Sequence, residues 1–570
     1  MIREPVFWRA RVALVLYVIM RIGLLQLNPV IGDINGNADR IISAIRSMDA
    51  DIIVTPEMSI CGYPPRDLLL CTGFVQACED AVLRIAQECR DETIIVSHPR
   101  VIAHSGRLHN SSSVIQNGEI LATCDKQLLP NYDVFDEVRY FVSGESSCIF
   151  ELNGRKVGIA ICEDFWRGFD ANVAPSYANN PLGELLSKGC DIIISPSASP
   201  FVTGKRESHV QYSLQLAKEQ CITIAVCNQV GGKDDLVFDG GSYIVSEKGM
   251  LGELPLFETG SISINLDAKT FAPSLPCENE ERFNALVLGT KDYFKDTGHS
   301  HARLGLSGGI DSALVATIAV AALGHDAVNG ILMPSRFSSL GSIEDAEQLS
   351  KNLMIQTDTL PIEHLHSAFE RTFEDGCLEA TGIAGENAQA RIRGLLLMAT
   401  ANEQGSLVLA TGNKSELAVG YTTLYGDMVG AVSVIGDIYK TDVWSLAKWI
   451  NSNYKKCGFD VPPIPEETIT KPPSAELRPN QLDQDTLPSY EDLDEILRLH
   501  IDFDLGIDDI EEKVSKPREF ISNIIKMVDR AQFKRYQAAV ILKTSPRTFG
   551  RGRRMPLVMK RSWVSTRETT

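Results

Sequence analysis

LGLSGGIDS, residues 304–312, is the stretch whose reading decides the fold of the second half of the chain. Residues 303–306 are an apolar run that reads as a buried strand. After the glycines, Leu314, Val315, Ile318, Ala319 and Ala322 recur at helical spacing. A strand that passes through a glycine turn into a helix is a cradle for phosphate. Gly308 and Gly309 let the backbone approach an anion, Ser307 and Ser312 offer hydroxyls, and the helix N-terminus adds N–H groups and the positive end of its dipole. Asp311 does not belong in a simple anion site. A carboxylate beside phosphates repels them unless a cation lies between, so Asp311 reads as a Mg²⁺ ligand. A glycine-rich turn with Asp as helix cap accounts equally well for any three of these residues, so the run has to be judged whole.

Taken whole, SGGIDS resembles the pyrophosphate loop of the ATP pyrophosphatases, which adenylate a substrate oxygen and then let ammonia displace AMP. At 570 residues the chain exceeds one ordinary core, and the motifs divide it into an extension over 1–19 and two large domains, 20–275 and 276–570. The net charge of −19 and pI near 5.1 make nucleic acid an unexpected partner. Arg547, Arg551, Arg553, Arg554, Lys560 and Arg561 cluster at the end of the chain and read as a solvated basic tail. None of the 13 cysteines has the C-x-x-C spacing of a zinc or redox pair. Cys190 and Cys227 lie beside apolar runs and read as small core residues, so a reducing cytoplasm is expected. VALVLYVIM, residues 12–20, mimics the apolar core of a signal peptide, but it is short for a membrane span and no small-residue cleavage site follows. Met20 is therefore expected to be the functional start, and no membrane contact is expected.

The first half alternates apolar strands and helices: a strand at 22–27, a helix at 37–48, a strand at 51–55, a helix at 74–89 and a strand at 93–97. Asn117-Gly118 marks a hairpin. The expectation is a layered sandwich of sheets and helices. Glu57, Lys126 and Cys162 each follow an apolar strand, where a fold presents a side chain to a cleft and holds it rigidly. Each alone has a bland reading as turn, surface or core residue. With their flanks PEMSICGYPPRDLL, DKQLLPNYDVFDEVRYF and GIAICEDFW, they resemble the nitrilase superfamily of amidohydrolases over roughly residues 20–267. The chemistry suits the three types. An amide needs a strong nucleophile, so Glu57 would take the proton of Cys162 and Lys126 would meet the tetrahedral oxyanion. The resemblance adds Glu137 as a second carboxylate on Lys126, and Tyr132, Ser199 and Lys205 as contacts to the amino-acid end of glutamine.

The second half continues with a helix at 281–294, strands at 329–333, 357–361 and 407–410, and helices at 342–353 and 387–402. This is a doubly wound α/β pattern in which Ser307 and Thr411 both end strands and should face one site. MPSRFSSLGSIEDAEQL, ENAQARIRGLLLMATAN and LATGNKSELAVGYTTLYGDMVGAVSVIGDIYKTDV make the resemblance specific to the NAD synthetases. It implies that Gly305, Leu306, Ser307, Gly308, Gly309, Ile310, Asp311, Ser312 and Thr411 bind ATP, with Lys440 on the leaving pyrophosphate. Asp311 and Glu416 would hold Mg²⁺, and Asn387, Glu416 and Lys534 would meet deamido-NAD; Arg391, one turn after Asn387 on the same helix face, is placed by that spacing to reach a phosphate or the nicotinate of deamido-NAD. The proline-rich 464–490 resembles a segment that closes over substrate. The expected fold is thus α/β throughout, a nitrilase-like α-β-β-α sandwich followed by a doubly wound parallel domain. The expected activity is ATP-dependent amidation of deamido-NAD with ammonia from glutamine, in a homo-oligomer. Another acceptor for the ammonia, or a nucleotide sensor on an inert nitrilase scaffold, are the competing readings, and the complete motifs weigh against both.

Overall fold

The computed structural model describes residues 20–89, 92–103, 105–171 and 175–559. The extension 1–19, Lys560 and Arg561 lie outside them. In the first half, β1 (Arg21–Gln26), β2 (Ile52–Val54), β3 (Thr93–Val101), β4 (Leu108–Gln116) and β5 (Glu119–Asp125) share one sheet. A second is built from β6 (Cys148–Leu152), β7 (Arg155–Ile159), β8 (Ile192–Ser197) and β9 (Thr223–Asn228). β10 (Val230–Lys233) and β11 (Leu236–Asp239) form a separate hairpin. β12 (Tyr243–Ser246) and β13 (Gly249–Glu253) extend the second sheet, and β14 (Gly260–Asn265) returns to pair with β1.

Each sheet has three parallel strands at its centre, β1-β2-β3 and β7-β8-β9. Such strands are buried on both faces, and side-chain alternation decides what each face meets. Ile22, Leu24, Ile52 and Val54 join Val157 and Ile159 in the core between the sheets. Leu25, Ile53 and Ile94 face the other way, onto Ile41 and Ile45 of helix Ile34–Ser47 and Val82 and Ile85 of helix Phe74–Glu88. The layers are therefore helix, sheet, sheet, helix. At the β4–β5 turn Asn117 and Gly118 both take positive φ, 52° and 83°, as a two-residue hairpin turn that matches strand twist requires. β3 runs past the expected end at 97 because it pairs with β4 residue by residue as far as Val101.

The sequence spacing suggested no cysteine pair, yet Cys124 near the end of β5 and Cys148 at the start of β6 are joined by a disulfide. That pairing is set by where the edges of the two sheets meet, which spacing does not encode. Cys190 and Cys227 are buried core residues.

In the second half β15 (Ala302–Gly305), β16 (Val328–Leu332), β17 (Gln356–Thr359), β18 (Leu407–Ala410), β19 (Val432–Ser433) and β20 (Val540–Ile541) are all parallel. Their spatial order is β17-β16-β15-β18-β19-β20. The order reverses between β15 and β18, and the crevice at their carboxyl ends is where such a sheet receives a ligand. The halves pack through helix Glu278–Asp296, which lies on the β10–β11 hairpin so closely that a Cβ on Gly232 would stand 2.9 Å from the Gly289 Cα. Asp292 accepts hydrogen bonds there from Gly232 N and Asn28 Nδ2, both at 2.8 Å. Among the described residues no helix is long and apolar enough to cross a membrane.

Candidate active sites

Glu57, Lys126 and Cys162 come together although they leave three different strands. Lys126 Nζ donates to Glu57 Oε1 at 2.7 Å and to Glu137 Oε1 at 2.8 Å, and all three side chains are buried. The carboxylates are fixed in turn. Asn110 Nδ2 donates to Glu57 Oε1 (2.7 Å), Ala198 N to Glu57 Oε2 (3.1 Å), and Tyr63 OH to Glu137 Oε1 (2.9 Å). Burial alone would lower the Lys126 pKa, but Glu137 and Glu57 raise it well above its ordinary value, so it stays an ammonium. Cys162 stands on a left-handed turn, φ 46°, immediately before the short helix Glu163–Trp166. Such backbone is costly for a non-glycine residue and is kept where a side chain must be aimed. Burial first, then the Glu57 carboxylate, holds the thiol well above the ordinary cysteine value, so the sulfur is protonated at rest and needs a base to react.

Tyr132 donates from its hydroxyl to Glu163 Oε2 at 3.0 Å, and Tyr177 donates to Glu163 Oε1 at 2.8 Å. Lys205 Nζ donates to Ser199 Oγ at 2.7 Å and stands 3.9 Å from Asp170, which is itself bonded to His209 at 2.8 Å. The predicted contacts therefore form two groups, Tyr132 on Glu163 and Lys205 with Ser199. Glu163, Tyr177 and Asp170 were not singled out from the sequence. For Glu163 the signal was its place directly after Cys162.

At the crevice of the second half, the glycine loop is tied by its serines. Gly309 N donates to Ser307 Oγ at 3.2 Å, and the Ser307 and Ser312 hydroxyls lie 3.1 Å apart. Gly308 has φ 76°, and a Cβ there would fall 2.1 Å from the Ser342 carbonyl oxygen, so no other residue fits. Asp311 Oδ1 accepts from Asn413 Nδ2 at 3.0 Å, and Lys440 Nζ donates to Asp311 Oδ2. Glu416 lies 3.7 Å from Lys440 and is held in a reciprocal cap with Asn413. Burial, then the Asp311 charge, raises the Glu416 pKa to about 8.

A cavity of ≈ 320 Å³ opens over this group. Of the predicted ATP residues, Gly305, Leu306, Ser307, Gly309, Ile310, Asp311, Ser312, Thr411 and Lys440 line it, with Glu416. Asn387, Arg391 and Lys534 do not. They converge instead on the neighbouring loop 420–427, whose Tyr421, Gly426 and Asp427 line the cavity. Thr423 Oγ1 donates to Asn387 Oδ1 (2.8 Å), Arg391 Nε to the Leu424 carbonyl (3.2 Å), and Lys534 Nζ to those of Gly420 (2.7 Å) and Thr422 (2.6 Å). Arg393, which sequence reading passed over, does line the cavity, and burial lowers its pKa to about 10. The proline-rich segment folds across the opening. Ser339 and Ser342 donate to Glu476 Oε1 at 2.8 and 2.7 Å, and Lys471 pairs with Asp345 at 2.7 Å.

One buried ion network joins the two places. Lys414, next but one to Glu416, pairs with Asp437 at 3.0 Å and Asp502 at 2.8 Å. Asp437 accepts from Thr544 N at 2.7 Å, and the Thr544 carbonyl accepts from Thr203 N at 2.9 Å, in the loop between Ser199 and Lys205. Lys543 pairs with Asp133, the neighbour of Tyr132, at 3.0 Å.

Comparison with known proteins covers the same two halves. The family model described as carbon-nitrogen hydrolase matches residues 21–273, and that described as NAD synthase matches residues 282–538. The glutamine-dependent NAD(+) synthetase of Synechocystis sp. is 43% identical over 560 residues, covering 94% of this chain and 98% of its own length. That of Thermotoga maritima is 41% identical, with 94% and 98% covered. The solved structure of the glutamine-dependent NAD+ synthetase from Acinetobacter baumannii in complex with ADP aligns with TM-score 0.74 at 36% identity, over 94% of this chain and 98% of that one.

Proposed function

The chain belongs to the family of glutamine-dependent NAD(+) synthetases, and on that premise we propose which residues carry each half of the reaction. The enzyme amidates deamido-NAD to NAD⁺ with nitrogen from glutamine, cleaving ATP to AMP and pyrophosphate, the last step of NAD biosynthesis. In the first half Glu57 takes the proton of Cys162 and the sulfur attacks the side-chain amide of glutamine. Lys126 meets the oxyanion, and Glu57 returns the proton to departing ammonia, leaving a thioester. Glu57 then takes a proton from water, which attacks the thioester and releases glutamate. The protonated residue restores the Cys162 thiol. Glu137 and Asn110 hold Lys126 and Glu57 in register. Tyr132, Ser199 and Lys205 seat the amino-acid end of glutamine.

In the second half the Ser307–Ser312 loop and Lys440 hold the phosphates of ATP, with Thr411 on the facing strand end. Asn387, Arg391, Glu416 and Lys534 serve deamido-NAD, three of them by shaping loop 420–427. Asp311 and Glu416 suit Mg²⁺. Their carboxylates stand together beside the phosphate loop on the cavity wall, and Mg²⁺ is commonly held by one or two carboxylates plus phosphate oxygens. A cation held by Asp311 and Glu416 would neutralise charge on the phosphates. A domain boundary near 275, a homo-oligomer and a cytoplasmic location complete the reading.

The observation that carries the first half is the Lys126 ammonium held between Glu57 and Glu137 at 2.7 and 2.8 Å. Its test is NAD⁺ formation from deamido-NAD and ATP with either glutamine or ammonium. Cys162→Ala is expected to abolish the glutamine-driven reaction and keep the ammonium-driven one, and loss of both would refute the two-site assignment.

A further inference from the structure

The Cys124–Cys148 disulfide spans 24 residues of sequence and 5.3 Å between Cα atoms. The loop it closes contains Lys126, Tyr132, Asp133 and Glu137. Lys126, its partner Glu137 and Tyr132 are thus held in one covalent ring, while Glu57, Cys162, Ser199 and Lys205 lie outside it. The ring is narrow at its base. Gly144 N donates to the Lys126 carbonyl at 2.8 Å, and a Cβ on Gly144 would lie 2.3 Å from the Asp125 carbonyl oxygen, so the returning chain presses against the end of β5. Cys124 is buried in the core between the sheets, whereas Cys148 is partly exposed at the sheet edge.

We infer that Cys124 and Cys148 are a thiol–disulfide site, oxidised by a low-molecular-weight disulfide and reduced by a dithiol, that sets how well the enzyme uses glutamine while leaving its use of free ammonium alone. This rests on Lys126 and Cys162 performing the glutamine hydrolysis. The exchange balances without another reactant. The Cys148 thiolate attacks one sulfur of the small disulfide and expels a thiolate, which takes up a proton. The Cys124 thiol then loses its proton and attacks the Cys148 sulfur, expelling a second thiolate, which is protonated in turn. Two electrons pass from the protein thiols to the small disulfide, giving one protein disulfide and two small thiols.

The effect reaches catalysis through position. Cys124 is two residues before Lys126, whose ammonium must stay in hydrogen-bond reach of two carboxylates, and misplacement by about 1 Å costs a catalytic group much of its effect. The change stays moderate because other bonds hold the strand end in either state. Lys126 N donates to the Asn110 carbonyl at 2.8 Å, and the Asp125 carboxylate is held by Arg100 and Ser111, both at 2.6 Å.

The test uses the full-length enzyme equilibrated with oxidised glutathione or with dithiothreitol and then freed of both. Differential alkylation and peptide mapping should find the two cysteine peptides linked after oxidation and separate after reduction. Reduction should lower kcat/KM for glutamine about threefold to tenfold with the ammonium-driven rate unchanged. Cys148→Ser, altered at the more exposed position, should show the reduced value after either treatment. No linked peptide after oxidation, a glutamine-to-ammonium ratio that does not move as the link comes and goes, or a ratio that falls on oxidation would each overturn the inference. If instead Cys162→Ala keeps its use of glutamine, the catalytic assignment fails while the mapped link still stands, so the two failures are told apart.

Discussion

The two sites handle charge in opposite ways. Around Cys162 the charged groups satisfy one another: Lys126 and Glu57 are 0 and 1% exposed, and both oxygens of Glu57 have donors from the chain. Around Asp311 the charged groups are left less closed. Asp311, Glu416 and Asp483 face the ammonium of Lys440, with Arg393 and Lys471 elsewhere in the wall, in a crevice open enough to be lined by glycine turns and a proline-rich cover. On the proposed chemistry, in which Cys162 makes a covalent bond with substrate, the first site gains from geometry fixed in advance, since any rearrangement of buried charge would add to the barrier. A site for a polyanion carrying a cation cannot be complete beforehand, because part of its charge arrives with the substrate. The difference implies that substitutions in the first place silence one nitrogen source, whereas those in the second silence both.

The sharpest break between them is Asp311→Ala, expected to lower NAD⁺ formation at least about 10³-fold whether glutamine or ammonium is supplied. Chelation of Mg²⁺ should do the same in the wild type while glutamate release from glutamine continues. An Asp311→Ala enzyme active with ammonium would remove the distinction. Glu57→Gln comes next. It keeps the shape of the side chain but not its basicity, so glutamine-driven synthesis should fall about 10²–10⁴-fold with the ammonium-driven rate intact. Assay of both nitrogen sources on one preparation gives the ratio directly.

The ion network at Lys414 is where the contrast should fail. Lys414 is fully buried with Asp437 and Asp502, so Lys414→Met leaves two carboxylates without their common cation and should cost about 3–5 kcal/mol of stability. Because Asp437 also holds Thr544 against the loop of Ser199 and Lys205, both activities should decline together as the protein loosens. Denaturant unfolding followed alongside both assays checks this, and an unchanged midpoint would mean that the network is not structural.

How much of this was legible depended on range along the chain. Ser307 and Thr411 could be placed in one crevice because strand, glycine and helix follow one another locally and the parallel order does the rest. Glu57, Lys126 and Cys162 were legible as strand ends with distinctive flanks. Arg393 was not, since on a helix residues two apart face different ways and packing decides which of Arg391 and Arg393 meets the cavity. Glu163 was visible only as a neighbour of Cys162, because its role depends on two tyrosines, 31 and 14 residues away, arriving at its two oxygens. The Cys124–Cys148 bond and the Lys414–Asp437 pair are tertiary in the same sense.

The smallest effect tests the finest part of the comparison, whether the closed site separates binding from chemistry. Tyr132 donates to Glu163 on the side where the amino-acid end of glutamine is expected, while the proposal puts Lys126 and Glu57 at the amide end. Tyr132→Phe keeps the ring and removes one of two tyrosine donors from a buried carboxylate, a loss of about 1.5 kcal/mol. If the tyrosine acts only on seating, that loss appears as a KM for glutamine raised about tenfold, with kcat within about twofold and ammonium use unchanged. A fall in kcat at constant KM would instead place the Tyr132 hydroxyl in the transition state, and the division of the closed site into a seating end and a reacting end would have to be given up.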